Sequence, residues 1–294
     1  MTFRAIVQAC RPLAHGNIAP PILYGQALAI AAGAEPSLAM FALAHAFGVL
    51  DHVAIVCTND LADREDDARN LAPTLFSGGS RVLVEGKLAP RTVGAMAGST
   101  AVGLVALSLA LAPSRPLLPW LAVAALLLLT AYCHPPLRLS YRGGGEWLQG
   151  LGVGVVLPLV GFHAQGAGLA LPWASLVPSF VLGVAGHVMT ALPDAPADRL
   201  AGKRTWPVRR GEARARRELV GLVALGIALG AAMLPLGGAG AVLALAPLLP
   251  LGAAARLAPR AAPGDPALLR FVVTTGGAST GALLLWSLAL LLSR

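Results

Sequence analysis

The chain has few charges, but one short stretch is densely acidic. The stretch "NDLADREDD" places five acids within the nine residues from Asn59 to Asp67, although only 12% of the 294 residues are charged. If one helix continued through it, Asp60 and Asp67 would lie about 20° apart around the axis, and Asp63 within about 60° of Asp60. We therefore expect these three carboxylates to point the same way.

A second acidic cluster lies in "DAPADRLAGKR". Asp194 and Asp198 are four residues apart, so a helix would place them on one face. Pro193 and Pro196 could disturb that turn, because proline removes a backbone donor and crowds the preceding carbonyl.

The two clusters have the chemistry of a magnesium site. Carboxylates this close repel each other unless a cation neutralises them. Mg²⁺ takes one or two carboxylates, keeps waters and completes its shell with substrate phosphates. Basic residues that could bind the same phosphates follow each cluster: Arg64, Arg81, Lys87, Lys203, Arg204, Arg209 and Arg210. The pattern predicts a Mg²⁺-bridged diphosphate site, and an apolar cavity below it would suit a polyprenyl diphosphate.

The elements that must position these clusters are membrane helices. Hydrophobic residues make up 56% of the chain, and about 20 apolar residues cross a bilayer. The sequence predicts an all-α polytopic membrane protein, in which residues 1–294 form one domain. The nine predicted transmembrane helices cover residues 17–34, 38–58, 91–112, 117–133, 146–165, 172–193, 218–236, 238–257 and 268–292.

The basic residues predict the orientation. With a cytoplasmic N-terminus, all of the 22 Lys and Arg residues except Arg115 and Arg294 fall on the inside, as the positive-inside rule requires. Both acidic clusters then face the cytoplasm from the cell membrane. The net charge of +8 suits an anionic lipid surface, so we expect no nucleic-acid partner. The N-terminus has no cleavable-signal pattern, and Cys10, Cys57 and Cys133 match no metal spacing.

Two other interpretations remain open from the residues alone. The acidic clusters could be solvated helix ends, and we expect Glu65 and Asp66 to be solvated. A transporter of a phosphorylated metabolite is the other functional class, because Asp51 lies about two turns deep in the second predicted helix. Asp51 is on a different face from Asp60, and we expect it to pair with a neighbouring helix.

Four ordered segments resemble one family. "NDLADREDD" is similar to the N-D-x-x-D-x-x-x-D motif of the UbiA superfamily of intramembrane prenyltransferases. "DAPADRLAGKRTWPVRRG" resembles that family's second motif, D-x-x-x-D followed by G-K-R-T and V-R-x-G. "SRVLVEGKLAP" is similar to its R-P-L-x-x-G-x-I-S segment, with Val82 in place of proline, and "YCHPPLRLSYRGGGE" resembles its Tyr-containing stretch.

The resemblance implies a helical bundle around a cavity that opens sideways to lipid. It also implies Mg²⁺-dependent transfer of a prenyl group from its diphosphate to an acceptor, usually an aromatic ring. By position, two Mg²⁺ ions would be held by Asn59, Asp60, Asp63, Asp67, Asp194 and Asp198. Diphosphate charge would be offset by Arg81, Lys87, Lys203 and Arg204, with Tyr132 and Arg138 near the departing group.

The acceptor is less well indicated. "TLFSGGSRVLVEGKLAP" and "SYRGGGE" resemble most the 1,4-dihydroxy-2-naphthoate branch, which belongs to the menaquinone pathway. Thr190 and Ala191 stand before Asp194 where asparagines are expected in that branch. Another quinone precursor or phenolic acid, such as 4-hydroxybenzoate or homogentisate, and a UbiA-like terpene cyclase stay as alternatives.

Single polar residues in the predicted helices could meet the acceptor. His45 and His52 share an angular sector with Asp63, and His187 lies seven residues before Asp194. All three histidines could line the cavity. Asn17 and Arg11, at the entrance to the first helix, could reach the acceptor or the diphosphate. The sequence does not predict an oligomeric state.

Overall fold

The computed structural model of the protein describes residues 2–70, 73, 78–262 and 264–293. Helix accounts for 77% of the chain and the described residues contain no strand, so the all-α prediction is confirmed. Every predicted range holds helix: α2 Ala19–Ala31, α3 Leu38–Ala62, α5 Pro90–Leu111, α6 Leu118–Cys133, α8 Gly145–Leu151 with α9 Leu157–Gln165, α10 Trp173–Leu200, α12 Glu212–Met233, α13 Gly238–Leu245 with α14 Leu248–Leu257, and α15 Pro266–Leu292.

Six helices in the described part of the chain are long and apolar enough to cross a bilayer: α3, α5, α8 with α9, α10, α13 with α14, and α15. Three other predicted spans differ from these. α2 has 13 residues and α6 has 16, and α12 carries charged residues over its first two turns. The helical positions are thus confirmed, whereas crossing by all nine stays a prediction. Arg294, one of two basic residues expected outside, is not among the described residues.

Short helices meet at the end of the bundle that carries the acidic clusters. They are α1 Phe3–Ala9, a 3₁₀ helix Pro12–Asn17, α4 Arg64–Arg69, α7 Leu139–Arg142 and α11 Trp206–Arg210. Hydrogen bonds connect two of them, α1 and α7, to loops that are distant in the sequence. The Arg204 amide donates to the Tyr141 carbonyl at 2.8 Å, and the Gln8 side chain donates to the Ser80 carbonyl at 2.8 Å.

Glycines bring α2 into direct backbone contact with α9. A Cβ on Gly25 would collide with the Pro158 carbonyl, and one on Gly161 would collide with the Ile22 carbonyl. Small residues allow such close approach in lipid, where van der Waals packing drives helix association. Tyr24 also donates a 2.6 Å hydrogen bond to the Ser175 carbonyl of α10. The short helix α2 is therefore fixed against two longer ones.

A π-helical turn, Gly152–Val156, joins α8 to α9 directly before Pro158. Proline cannot donate to the carbonyl four residues earlier, which here belongs to Gly154. The Ser179 hydroxyl of α10 donates to that carbonyl instead, at 2.6 Å. A Cβ on Gly154 would lie 2.5 Å from the Cα of Phe180, so the glycine is needed for the contact.

The acidic segment after α3 is not one continuous helix. α3 ends at Ala62, Asp63 has φ −104° and ψ 8°, and α4 begins at Arg64. The prediction that Asp60, Asp63 and Asp67 share one helical face required a continuous helix and is therefore wrong, because α3 ends before Asp63 and Asp67 lies in a separate helix. By contrast, α10 continues through Pro193 and Pro196 to Leu200, so Asp194 and Asp198 do share a face.

Two apolar clusters of buried residues flank the centre of the bundle. One is built from α2, α9, α10 and the helices after α11, and it includes the fully buried Trp286. The other is built from α2, α3, α5, α6 and α9, around Phe47 and Leu104. A cavity lies between α3, α6, α8 and α10.

Candidate active site

The cavity has a volume of about 320 Å³, within the usual range of small-molecule pockets. Its deeper wall is mostly apolar and includes Ile55, Ala125, Leu128, Leu129, Val153, Val156 and Leu157. Its other end is polar and includes Asp63, Asp66, Asp67, Asn70, Asp194, Asp198, Lys203 and Thr205. The two acidic clusters thus meet at one mouth of an apolar cavity.

Lys203 lies between the two acidic clusters. Its Nζ is 2.9 Å from Asp63 Oδ2 and 3.7 Å from Asp198 Oδ1. Burial would lower the pKa of Lys203, but Asp63 and Asp198 raise it above the ordinary value overall, so the side chain stays charged. Thr205 donates a 3.0 Å hydrogen bond to Asp198 Oδ2.

Tyr141 connects to two carboxylates of the first cluster. Its hydroxyl lies 3.0 Å from Asp63 Oδ1 and also contacts Asp66 Oδ2, so one hydroxyl hydrogen serves two carboxylates. Burial and the Asp63 charge raise the pKa of Tyr141. The prediction that Asp66 is solvated is wrong: its side chain is 14% exposed and lines the cavity.

Asp67 and Asp194 line the cavity from opposite clusters. Burial raises the pKa of Asp67 to about 6; Arg11 lowers it, and Asp63 and Asp60 raise it further. Asp194 accepts hydrogen bonds from Asn70 Nδ2 at 2.9 Å and from the Gly78 amide at 3.3 Å. These bonds attach the end of α10 to the loop that follows α4.

Asp60 does not line the cavity. Its carboxylate, 3% exposed, forms an ion pair with Arg11 and accepts from the Ser80 hydroxyl and, at 3.2 Å, from the Ser80 amide. The ligand role predicted for Asp60 stays untested. The described contacts give Asp60 a structural role, because they connect the N-terminal segment to the loop after α4.

Of the basic residues predicted to bind diphosphate, only Lys203 and Arg11 line the cavity. Arg64, Lys87 and Arg204 are exposed at the surface, and Lys87 pairs with Glu85 at 2.6 Å. Arg81 donates to the carbonyls of Asp67 and Asn70 at the end of α4.

Other cations near the clusters are also bound to protein groups. Arg138 lies 3.5 Å over the Tyr141 ring and donates to the Ala62 carbonyl. Arg209 pairs with Glu146 and Arg210 with Glu218. Arg11 is also paired, with Asp60, but unlike these three arginines it lines the cavity.

The remaining residues assigned from the sequence do line the cavity: Asn17, His52, Asn59, Tyr132 and His187. Tyr132 OH lies 3.2 Å from His187 Nε2, and a Cβ on Gly145 would lie 2.7 Å from the same nitrogen. His52 Nε2 lies 2.8 Å from the Cys10 carbonyl, to which it donates.

Two predictions about the second predicted span were wrong. His45 is not part of the cavity wall and packs against Phe41, with ring centroids 4.6 Å apart. Asp51 does line the cavity and is 3% exposed. It was expected to pair with a neighbouring helix, yet its Oδ1 has no hydrogen-bond partner among the described residues.

The polar end of the cavity has the charge and the ligand types that Mg²⁺ requires. Five carboxylates there face two cations, Arg11 and Lys203, and burial, with a smaller contribution from Asp63 and Asp60, raises the pKa of Asp67. The described residues contain no ready cluster of three metal-ligating side chains. A hydrated Mg²⁺ that shares its shell with phosphate oxygens needs fewer protein ligands, so the residues fit that ion.

Sequence reasoning missed Tyr141, Asp66 and Thr205 as parts of this site. The signal for Tyr141 and Thr205 was available, because both lie in the segments that resemble UbiA motifs, "SYRGGGE" and "GKRT". No sequence pattern indicated that the Ser80 hydroxyl donates to Asp60, which lies 20 residues earlier in the chain.

Comparison with known proteins decides the family. The model of the UbiA prenyltransferase family matches residues 18–274. The chain belongs to this family. Membership identifies it as a prenyltransferase and decides against the transporter class. No curated protein sequence matches the chain.

Solved structures with the same fold are distant in sequence. A UbiA homologue from Archaeoglobus fulgidus bound to GPP and Mg²⁺ has a TM-score of 0.73 at 19% identity, with 98% of this chain and 99% of that chain covered. The apo UbiA homologue from Aeropyrum pernix K1 has 0.65 at 19%, covering 95% and 97%. A structure of digeranylgeranylglyceryl phosphate synthase has 0.67 at 17%, covering 98% of each chain.

Proposed function

We propose that this UbiA-family enzyme transfers a polyprenyl group from its diphosphate to an aromatic quinone precursor, with Mg²⁺. The observation that carries the proposal is the position of Lys203, between two acidic clusters at the mouth of an apolar cavity. A diphosphate with its metal suits this polar end, and a prenyl chain suits the apolar wall.

Mg²⁺ would be held by Asp63, Asp67, Asp194 and Asp198, with Asn59 nearby, and would stabilise negative charge on the diphosphate. Lys203 and Arg11 supply two further positive charges at the same end. Negative charge grows on the diphosphate as the allylic C–O bond breaks, so fixed cations lower the barrier. The apolar wall excludes water from the carbocation.

The acceptor we favour is 1,4-dihydroxy-2-naphthoate, which would place the enzyme in menaquinone biosynthesis. The support is the resemblance of "SYRGGGE" and of the run from Thr74 to Pro90, in which residues 74–77 lie outside the described part of the chain. Tyr141, in the first of these segments, contacts two acids at the cavity mouth.

We further propose that residues 1–294 form one domain that crosses the cell membrane nine times, with its N-terminus and the cavity mouth at the cytoplasmic face. The distribution of Lys and Arg supports this orientation. The short helices α2 and α6 would then cross where neighbouring helices and polar ends shorten the required span.

The test measures Mg²⁺-dependent pyrophosphate release from geranyl and longer prenyl diphosphates, with the product identified by mass. 1,4-Dihydroxy-2-naphthoate, 4-hydroxybenzoate and geranylgeranylglyceryl phosphate are offered in parallel, the last because a digeranylgeranylglyceryl phosphate synthase shares the fold. We expect a prenylated naphthoate product, and no product with Asp194→Ala. Prenylation of the glyceryl phosphate alone would contradict the aromatic assignment, and no release with any pair would contradict prenyl transfer.

A further inference from the structure

We propose that Asp51 positions the acceptor by accepting a hydrogen bond from one of its hydroxyl groups. The proposal rests on the prenyl transfer proposed above and adds the group that recognises the second substrate. Asp51 is a positioning residue in this view, because it binds the acceptor away from the carbon that reacts.

The first observation is the isolation of the Asp51 carboxyl group. The residue is 3% exposed and lines the cavity, and its Oδ1 has no hydrogen-bond partner among the described residues. Burying a polar group without a partner is unfavourable, and ionisable groups inside a membrane usually mark substrate paths. The missing partner is therefore expected to come from a ligand.

The second observation is where Asp51 lies relative to the metal-binding end. Asp51, Ile55 and Asn59 recur every fourth residue on α3, and all three line the cavity. Asn59 is eight residues further along, which corresponds to about 12 Å of helix. The acceptor must lie between the diphosphate and this deeper carboxyl group, with its reactive carbon facing the bond that breaks.

The chemistry of the group limits what it binds. A carboxylate in a low-dielectric cavity repels another carboxylate and attracts a hydrogen-bond donor. An aromatic acceptor would therefore turn a hydroxyl group to Asp51 and any carboxylate of its own elsewhere. α6 contributes the apolar residues Ala125, Leu128 and Leu129 to the same cavity, which suits the ring.

The experiment compares Asp51→Asn and Asp51→Leu with a matched control, Gln26→Leu. Gln26, in α2, is also buried with an unpartnered side-chain oxygen, but it does not line the cavity. The substrates are 1,4-dihydroxy-2-naphthoate and geranyl diphosphate. Asp51→Leu should raise the KM for the naphthoate roughly 10- to 100-fold, whereas the KM for the diphosphate should stay within about twofold of the wild-type value.

Two further results are expected. Asp51→Asn should recover part of the loss, because the amide oxygen still accepts. The mono-O-methyl ether of the naphthoate in which the recognised hydroxyl is blocked should be a poor substrate for the wild type. Asp51→Leu should not raise the KM for this ether any further. Equal changes in both KM values, or the same change in Gln26→Leu, would overturn the assignment.

Acceptor binding is also measured without turnover, by the thermal shift of the solubilised protein with 1,4-dihydroxy-2-naphthoate or 4-hydroxybenzoate alone. A shift in the wild type and in Gln26→Leu, but not in Asp51→Leu, supports the assignment even where no prenyl diphosphate reacts. An equal shift in all three proteins, or none in the wild type with either compound, overturns it. Failure of the proposed reaction and failure of this site are thereby distinguished.

Discussion

Lys203 Nζ lies 2.9 Å from Asp63 Oδ2, although the two residues are 140 positions apart in the sequence. Asp63 ends the helix of the first acidic cluster, and Lys203 follows the helix of the second. The contact therefore joins the two clusters directly. It also places one cation where the diphosphate head is proposed to bind.

Replacing Lys203 should impair turnover more than it impairs folding. Lys203→Gln keeps a polar side chain but removes the charge, and loss of one charged contact to a transition state is expected to lower kcat/KM about 100-fold or more. Steady-state kinetics with varied prenyl diphosphate measure the effect. Arg199→Gln, an exposed residue paired with Glu212, is the control, and equal losses in both variants would contradict the role of Lys203.

Replacing Asp60 should reduce stability as well as activity. Asp60→Ala leaves the Arg11 guanidinium and the Ser80 hydroxyl without their partner. We expect this to lower the free energy of unfolding by about 2 kcal/mol. The loss is smaller than for a fully buried pair because Arg11 is 25% exposed. Thermal unfolding in detergent measures it. The double variant Arg11→Met with Asp60→Ala should be less destabilised than the sum of the single variants, and simple additivity would count against the pair.

Mg²⁺ binding should weaken at acid pH. The pKa of Asp67 is raised to about 6, chiefly by burial, so below pH 6 the carboxyl group is protonated and a cation must displace the proton. Burial also raises the pKa of Asp198 to about 6, so we expect the apparent Mg²⁺ affinity to be about tenfold or more weaker at pH 5 than at pH 8. Titration of activity with Mg²⁺ at each pH tests this. Asp67→Asn should have a flatter pH dependence, and an unchanged slope would reject Asp67 as the titrating group.

A methyl group at Gly154 should separate the π-helical turn Gly152–Val156 from α10. The added Cβ of Gly154→Ala would meet the Phe180 backbone, and overpacking of this kind usually costs about 1–3 kcal/mol. The melting temperature in detergent should fall. Gly221→Ala in α12 has open space around its Cβ and should leave the melting temperature unchanged or slightly raised. A similar fall in the melting temperature of both variants would contradict the steric explanation for Gly154.

The sequence predicted the parts of the structure that depend on local composition. Apolar length located the helices, and the spacing of Asp194 and Asp198 was correct because α10 passes through Pro193 and Pro196 unbroken. The opposite occurred at Asp63. No proline or glycine marks the end of α3, so the angular argument assumed a helix that the fold interrupts.

Contacts between distant segments were beyond the reach of spacing arguments. Asp60 meets Ser80 across 20 residues of sequence, and Tyr141 reaches Asp66 across 75 residues. Asp51 was expected to pair with a neighbouring helix because it lies on a different face of its own helix from Asp60. Whether a partner exists depends on the residues of the facing helices, which the pattern of one helix does not reveal.

The ion pair of Arg11 with Asp60 has a consequence for where the functional unit begins. The family match starts at residue 18, yet Arg11 lies before it and contributes to the cavity wall. A chain shortened to that boundary would retain α2 and every longer helix. It would nevertheless lose Arg11, one of the two cations described at the cavity mouth, and leave the buried Asp60 without its ion-pair partner. Inactivity of such a truncated enzyme would therefore not show that the remaining helices are incorrectly folded.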